Sequence, residues 1–197
     1  MSFTSTITTK GQITLPKAIR AFLDSRIIEI DVVNDEVRIR PVKNVGGSLS
    51  RYAENREPKP LSEIREDVWG GVRMKGNADY LPDTNAVLRY LLRDDVEQFP
   101  LAEAFFKKVM DGRTRVLFLE GVLVECLYVL TKYYKVTRAE AAGSLIGLLH
   151  YKGVVNRDKA VFIEGLQNFA TGALDPVDCL MLARSRVDGL QVFSFDK

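Results

Sequence analysis

The hydrophobic pattern divides this 197-residue chain into three regions, and the pattern of the last region limits the fold most. From residue 79 onward, short apolar runs alternate with longer stretches whose apolar residues recur at helical spacing. We predict strands at 79–82, 116–119 and 191–195, and helices at 84–93, 101–111, 122–134, 138–149, 157–170 and 176–186. This strand-and-helix rhythm predicts an α/β fold, with a parallel sheet wrapped by helices.

Short alternating apolar runs dominate the first region, residues 1–45. The runs FTSTITT, QITLP, RIIEIDVV and EVRIRPV predict strands, and PKAIRAFLD between them predicts a short helix. So short a segment buries too little apolar surface to fold alone. We therefore expect a small, mostly-β domain that completes its core with a second copy, as an obligate homodimer or a higher homo-oligomer.

The middle region, residues 46–78, is polar and contains repeated glycine and proline, which indicates a linker. One amphipathic stretch, LSEIREDVW, interrupts it. In this stretch Leu61, Ile64 and Val68 lie at i, i+3 and i+7, and Trp69 follows. An apolar stripe of this kind needs a groove to occupy.

The composition excludes several classes of protein. A hydrophobic fraction of 46% excludes a disordered chain, and a net charge of +2 gives no strong indication of a partner. The longest apolar stretch, 116–130, contains two glutamates and is too short to cross a bilayer, and the N-terminus lacks a signal-peptide layout. We expect a cytoplasmic protein with no membrane partner. One histidine cannot build a zinc site, so any metal must take oxygen ligands.

Four carboxylates interrupt or end apolar runs: Asp83, Glu125, Asp178 and Asp196. Burying an ionised carboxylate without a partner is prohibitive, so their placement implies a cationic group. In the predicted fold, two of them follow strands and the other two lie in the first turns of helices. Open α/β sheets gather ligands at the carboxyl ends of their strands, where all four side chains can meet.

These acids also have purely structural interpretations. Asp83 could cap the helix that follows it, Asp178 could sit favourably in a helix dipole, and Asp196 could simply end a strand. If the four lie within ~4 Å of one another, each pair repels by about 4 kcal/mol at an effective dielectric constant near 20. Oxygen ligands without imidazole or thiolate select Mg²⁺ or Mn²⁺. Such ions clamp phosphate groups and activate water, which indicates phosphodiester hydrolysis.

The strings YLPDTNAVLRYLL, VECLYVL, LDPVDCLMLA and FSFDK resemble the acidic motifs of PIN-domain nucleases, and specifically of VapC-type toxins, over residues 79–197. The resemblance implies an endoribonuclease. Its catalytic, magnesium-binding acids would be Asp83, Glu125, Asp178 and Asp196. It also implies that Thr84 and Asn85, which follow the first acid, hold the carboxylate of Asp83 in place.

The string TTKGQITLPKAIRAFL resembles the AbrB-like swapped-hairpin domain of VapB-type antitoxins, over about residues 3–45. In that family two chains interlace into one DNA-binding unit, which implies operator DNA as a partner. The matching positions that would contact DNA are Lys10, Gln12, Lys17 and Arg20. A lysine at a hairpin tip can reach phosphate, and a glutamine can bind a base edge through two hydrogen bonds. An ordinary solvated basic face is the alternative interpretation.

In the same family the antitoxin tail lies over the toxin and blocks its acidic pocket. The resemblance implies that LSEIREDVW does so here, through Ile64, Arg65 and Trp69, with the Arg65 guanidinium among the carboxylates in place of metal. A solvated helical arginine is the alternative. Met74 resembles a former start site that is now read through. The chain would then be a toxin-antitoxin fusion, an autoinhibited magnesium-dependent endoribonuclease that binds its own operator.

Two other functions stay open on the sequence alone. The chain could be a DNA-binding transcriptional regulator with a catalytically silent PIN module. It could also be a nuclease directed at DNA, because the same acids and metal chemistry serve both nucleic acids.

Overall fold

The computed structural model describes residues 3–33, 36–53 and 78–194. These residues belong to two compact units, Met1–Lys43 and Asn44–Lys197. Four residues with predicted roles lie outside the described residues: Ile64, Arg65, Trp69 and Asp196. Their roles therefore stay predictions.

The described residues of the N-terminal unit contain one helix and one two-stranded hairpin. Helix α1 spans Lys17–Leu23, and strands β1 (Ile28–Val33) and β2 (Glu36–Pro41) pair in antiparallel register. The hairpin predicted from RIIEIDVV and EVRIRPV is thus confirmed. Ahead of α1, the two predicted strands are reduced to one antiparallel bridge between Ile7 and Ile13, around a turn in which Gly11 has a φ of +73°. This positive φ favours glycine, which has no Cβ to clash with the backbone.

Much of the apolar surface of the N-terminal unit faces solvent in the single chain. The exposed large apolar side chains are Phe3, Ile7, Ile13, Phe22, Ile30, Val32 and Val37. Among the described residues of this unit, only Leu23 and Val42 are buried apolar side chains. So many exposed apolar side chains on a small unit are typical of an interaction surface.

The helices of the second unit follow the predicted order. They are α2 (Thr84–Leu92), α3 (Gln98–Met110), α4 (Glu120–Tyr128), α5 (Arg138–Leu149), α6 (Lys159–Thr171) and α7 (Pro176–Asp188). A short 3-10 helix, Ser50–Tyr52, precedes them, and a π-helical segment, Val129–Tyr133, continues α4. Helix α3 begins earlier than predicted because the Asp95 carboxylate accepts hydrogen bonds from the backbone N–H groups of Glu97 and Gln98, at 3.0 and 2.8 Å. That capping places Pro100 inside the first turn, where proline is tolerated.

The predicted parallel sheet appears in the described residues only as two isolated parallel bridges, Tyr80 with Val116 and Val116 with Val154. Beyond these bridges a side chain replaces the backbone ladder. The Asn156 amide accepts from Phe118 N at 2.9 Å and donates to Phe118 O at 2.8 Å. The extended segment at Val154 was not predicted, and the described part of the predicted strand at 191–195 forms no bridge. Mixed helix and strand content still fits the α/β class.

Helices and the short extended segments enclose the core of the second unit. Its largest fully buried side chains include Tyr90, Phe106, Phe118 and Tyr151, and the rings of Tyr90 and Phe106 stack with centroids 4.5 Å apart. Helices α6 and α7 approach closely at Gly165, where an added Cβ would lie 2.6 Å from a Leu180 methyl group. Among the described residues, no helix is both long enough and apolar enough to span a bilayer.

Candidate active site

Asp83 lies at the junction between the extended segment of Tyr80 and helix α2. It is the N-cap residue of α2, and its Oδ1 accepts a hydrogen bond from the backbone N–H of Ala86 at 2.8 Å. Asp83 therefore does cap α2, as its structural interpretation predicts. The carboxylate is also exposed, so it is fixed by the helix end and still accessible to a ligand.

Helix α4 begins at Glu120 and not at the predicted residue 122, so Glu125 lies in its second turn and not in its first. The Glu125 side chain is half-buried. The fully buried Thr84 hydroxyl donates a hydrogen bond to Glu125 Oε2. Thr84 was predicted to hold the Asp83 carboxylate, but the backbone N–H of Ala86 does that instead. The Thr84 bond joins the first residue of α2 to α4, so Glu125 lies against the end of α2 that Asp83 caps.

The thiol of Cys126 reports the charge at this place. Burial raises its pKa, and the carboxylates of Glu125 and Asp83 raise it further. Both acids are therefore close enough to act electrostatically on one fully buried atom. The thiol stays protonated, so the negative charge here comes from the carboxylates alone.

Asp178 occupies the first turn of α7, where Asp175 is the N-cap residue and Pro176 is the first helical residue. Its side chain is exposed. Burial raises the pKa of the neighbouring Cys179 thiol, Arg138 lowers it, and Asp178 and Asp175 raise it. Asp178 thus has a favourable place in the helix dipole, as the structural interpretation predicts.

The convergence of all four acids is not seen in the part of the chain that the structure describes. Within residues 3–33, 36–53 and 78–194, no group of three or more histidine, cysteine, aspartate or glutamate side chains could hold a metal ion. Asp83 lies next to Thr84, which bonds to Glu125, but Asp178 does not complete a group of three with them, and Asp196 lies outside the described residues. The assignment of the latter two as ligands stays a prediction.

Asp83 and Glu125 have the donor chemistry that Mg²⁺ and Mn²⁺ take, namely carboxylate oxygens. Asp83 is oriented by a backbone N–H, and Glu125 is oriented by a threonine hydroxyl. Carboxylates held by such bonds are typical of ligands that are prearranged for a metal. The donor chemistry of these two residues therefore fits a divalent ion, but the described residues show no metal site.

One charged contact near these helices was missed by sequence reasoning. Arg184 on α7 pairs with Glu120 on α4 at 3.4 Å and with Asp158, just before α6, at 3.2 Å. Burial lowers the pKa of Arg184, but its hydrogen bonds to these carboxylates outweigh that effect and raise it. Glu120 is exposed, and its ion pair with Arg184 joins α7 to the start of α4. No spacing rule in the sequence pairs residues so far apart.

The predicted DNA contacts lie in the N-terminal unit and are all exposed: Lys10, Gln12, Lys17 and Arg20. Two belong to the turn at Gly11, where the backbone N–H of Gln12 donates to Thr8 Oγ1 at 3.1 Å. The other two lie on α1. Exposure is compatible with DNA contact, and it is also what an ordinary solvated basic face would show.

Comparison with known proteins gives one match. Searches of curated proteins and of solved structures returned none. A family model described as the PIN domain matches residues 80–197, which is more than half of the chain and contains Asp83 and Glu125. PIN domains are typically metal-dependent nucleases that act on nucleic acids. The resemblance to VapB-type antitoxins in the first region lies outside the match and stays a prediction. Because the PIN-domain model matches more than half of its residues, the chain belongs to the PIN-domain family.

Proposed function

We propose that this protein is a toxin-antitoxin fusion. Its PIN unit is a Mg²⁺- or Mn²⁺-dependent endoribonuclease, held inhibited by the fused antitoxin segment, and its N-terminal unit binds operator DNA for autoregulation. The observation that carries the nuclease part is the hydrogen bond from Thr84 to Glu125. It brings together the two helices that bear Asp83 and Glu125 inside a PIN domain.

In this proposal Asp83 and Glu125 hold the metal ion, with Asp178 and Asp196 as its further ligands. The bound ion would supply a charge clamp for the scissile phosphate and a lowered pKa for an attacking water. The chain itself orients the donors. The end of α2 fixes Asp83 through the Ala86 N–H, and the Thr84 hydroxyl fixes Glu125. The neutral thiol of Cys126 contributes no charge that would compete with either role.

RNA is proposed as the substrate because the acidic motifs resemble those of VapC-type toxins. The metal chemistry itself does not discriminate RNA from DNA. Inhibition is assigned to Ile64, Arg65 and Trp69, because the amphipathic stretch that contains them needs a groove and Arg65 offers a positive charge for the acids. The segment can reach the PIN unit of its own chain or that of a neighbouring chain, and the proposal covers both cases.

Operator binding and dimerisation are proposed for the N-terminal unit. The support for dimerisation is the set of exposed apolar side chains on α1 and the hairpin, which a second copy would cover. The support for DNA binding is the exposure of Lys10, Gln12, Lys17 and Arg20. A single copy has little excess positive charge, so paired copies would be needed for useful affinity.

The test uses the full chain with its inhibitory residues removed as I64A, R65A and W69A. This triple variant should cleave a labelled single-stranded RNA with Mg²⁺ and should lose cleavage when a chelator is added. Adding Asp83→Asn should reduce the rate by more than about 100-fold, since a ligand contributes at least as much as the groups that orient it. The matched control is Asp79→Asn, which removes an exposed carboxylate that pairs with Arg115 at 3.1 Å.

Three results would redirect the proposal. Equal loss in the Asp83→Asn and Asp79→Asn variants would remove the role of Asp83. Cleavage of DNA but not RNA oligonucleotides would favour the DNA-directed nuclease. An inert triple variant that takes up no Mn²⁺ but still binds operator DNA would favour the transcriptional regulator with a silent PIN module.

A further inference from the structure

Helix α4 and the π turn that continues it are tied to α2 at two points. At the first point, the hydroxyl of Thr84 donates a hydrogen bond to Glu125. At the second point, the hydroxyl of Tyr134, which directly follows the π turn, donates to Asp94 Oδ2 at 2.7 Å. The first point lies at the start of α2 and the second lies just after its end. The two helices therefore run side by side in the same direction.

The second point is built around a buried ion pair. Arg89 Nη1 lies 2.6 Å from Asp94 Oδ2, and the two side chains are 8% and 1% exposed. Burial lowers the pKa of Arg89, but its bond to Asp94 outweighs that effect and raises it. Burial and the bond to Asp94 raise the pKa of Tyr134, which stays a neutral donor. Because breaking a buried ion pair leaves an uncompensated charge, this point is a firm attachment.

The spacing of the two points along α4 does not suit a regular α-helix. Tyr134 is nine residues after Glu125. At about 100° per residue, nine α-helical steps would place their side chains about 180° apart, on opposite sides of the helix. A π turn takes up about one residue more than an α turn, so the same two side chains come to lie about 80° apart. The π turn therefore lets both side chains reach α2.

Backbone and side-chain bonds inside the chain accommodate this turn. The backbone N–H of Tyr134 donates to Val129 O at 3.1 Å, which is the i to i−5 bond of a π-helix. The hydroxyl of Thr131 donates to Leu127 O at 2.7 Å, which gives that carbonyl group a side-chain partner. A π-helix is nevertheless rare compared with an α-helix, so contacts elsewhere have to favour it. The bond from Tyr134 to Asp94 is such a contact, because an α-helical course would rotate Tyr134 away.

We propose that Asp94 and Tyr134 are positioning residues for Glu125, which they keep directed at α2 by holding the π turn. Without their bond, the stretch would return to a regular α-helix, and one of its two ends would rotate away from α2. The Tyr134 ring is buried and Glu125 is half-buried, so Glu125 is the end that turns away. The inference rests on the proposed function, because Glu125 is a proposed metal ligand.

The first experiment measures Mn²⁺ affinity by calorimetry in the full chain that carries I64A, R65A and W69A. Tyr134→Phe keeps the buried ring and removes only the hydroxyl. It should lower the affinity by about tenfold, as loss of a group that orients a metal ligand typically does. An unchanged affinity in Tyr134→Phe, alongside a lowered affinity in Thr84→Val, would overturn the inference.

A deletion tests whether the effect of Tyr134→Phe comes from rotation of the helix. Lys132 is exposed and lies within the π turn. Deleting it leaves eight steps, which in a regular α-helix again give about 80°, so the deletion should restore the affinity of Tyr134→Phe to within about threefold. The matched control is Lys132→Ala, which removes the same side chain without shortening the helix and should restore nothing. Rescue by both changes, or by neither, would contradict the proposed rotation.

A measurement without metal separates this inference from the nuclease proposal. In protein labelled at its threonine methyl groups, the NMR signal of Thr84 is identified by its absence from Thr84→Val. Tyr134→Phe should shift this signal, and the deletion of Lys132 should return it. A signal that Tyr134→Phe does not move would overturn the inference. A signal that moves and returns in variants that take up no Mn²⁺ would support the positioning of Glu125 and count against the nuclease proposal.

A pair of length changes keeps the inference testable if Tyr134→Phe fails to fold. In protein that retains Tyr134, deletion of Lys132 should leave the Thr84 signal in place, because the α-helical course then satisfies both points. Insertion of one alanine after Lys132 adds a further rotation of about 100° and should shift the signal. Equal shifts from the deletion and the insertion would show that the rotation of α4 is not what places Glu125.

Discussion

The two compact units of this chain differ in how far they bury their large apolar side chains. The described part of the N-terminal unit leaves seven large apolar side chains exposed and buries two. The second unit buries Tyr90, Phe106, Phe118 and Tyr151 completely. The second unit therefore has the core that an independent domain needs, whereas the N-terminal unit has an apolar surface that requires a partner. A second copy of the same unit is the partner we propose.

The largest expected effect tests this difference directly. Phe106 is fully buried, so Phe106→Ala should lower the free energy of unfolding of the second unit by about 3–5 kcal/mol. This loss should not depend on protein concentration. Phe22 is 86% exposed in the single chain, so Phe22→Ala should cost little unless a second copy covers it. If it is covered, we expect about 2 kcal/mol, as for a central interface residue.

Urea unfolding at two protein concentrations separates these cases. The transition of the N-terminal unit should move to higher urea at the higher concentration, because association stabilises only the folded form. Phe22→Ala should reduce that concentration dependence. If the urea midpoint of the N-terminal unit changes neither with protein concentration nor with the Phe22 substitution, the exposed apolar face has no partner. The comparison between the units would then fail.

The next effect concerns the acids and should be confined to the second unit. Thr84→Val keeps the shape of a fully buried side chain but removes the hydroxyl that donates to Glu125. Groups that orient metal ligands typically contribute 10–100-fold to metal affinity, so we expect Mn²⁺ affinity to fall by about tenfold. Calorimetric titration of Mn²⁺ into the variant that also carries I64A, R65A and W69A, in which the proposed inhibitory arginine is absent, measures this. Thr84→Ser retains the hydroxyl and is the matched control.

Operator binding by the N-terminal unit should be unchanged in the Thr84→Val variant. A parallel loss of DNA binding would mean that the units are coupled and cannot be treated separately. Equal Mn²⁺ affinity in Thr84→Val and Thr84→Ser would mean that the hydrogen bond does not prepare Glu125 for metal.

The sequence predicted the helices well because their periodic apolar residues face a core. Helix α5 has its predicted bounds, and α2 and α7 begin where an aspartate precedes the first helical residue. Capping of α2, the alternative interpretation of Asp83, is also a matter of neighbouring residues, and the Asp83 carboxylate does cap that helix. These features are local, so their causes lie within a few residues of one another.

The sequence failed where the determining contact is distant or uses backbone atoms. Gly46 and Gly47 indicate a linker by composition, yet Gly47 is part of a helix cap because its N–H meets the end of α2. The Thr84 hydroxyl was assigned to its neighbour Asp83, although it bonds to Glu125, 41 residues further along the chain. Backbone donors occur at every non-proline residue and carry no sequence pattern, so such contacts cannot be predicted from one sequence.

The smallest expected effect concerns DNA. Lys17 is exposed on α1, and as a phosphate contact it should contribute to affinity through released counterions. Lys17→Gln should weaken binding to a duplex taken from upstream of the protein's own gene by a few-fold. It should also reduce the slope of log affinity against log salt by about one unit for each copy bound. Fluorescence anisotropy at several salt concentrations measures both quantities.

The matched control for Lys17→Gln is Lys132→Gln, which removes an exposed lysine from the second unit. If only the N-terminal unit touches DNA, this control should leave both affinity and salt slope unchanged. Equal effects of the two substitutions would assign DNA binding to general surface charge. Because counterion release counts phosphate contacts and not overall stability, a changed slope cannot come from partial unfolding alone. The salt slope therefore discriminates a DNA-contacting lysine from one that only supports the dimer.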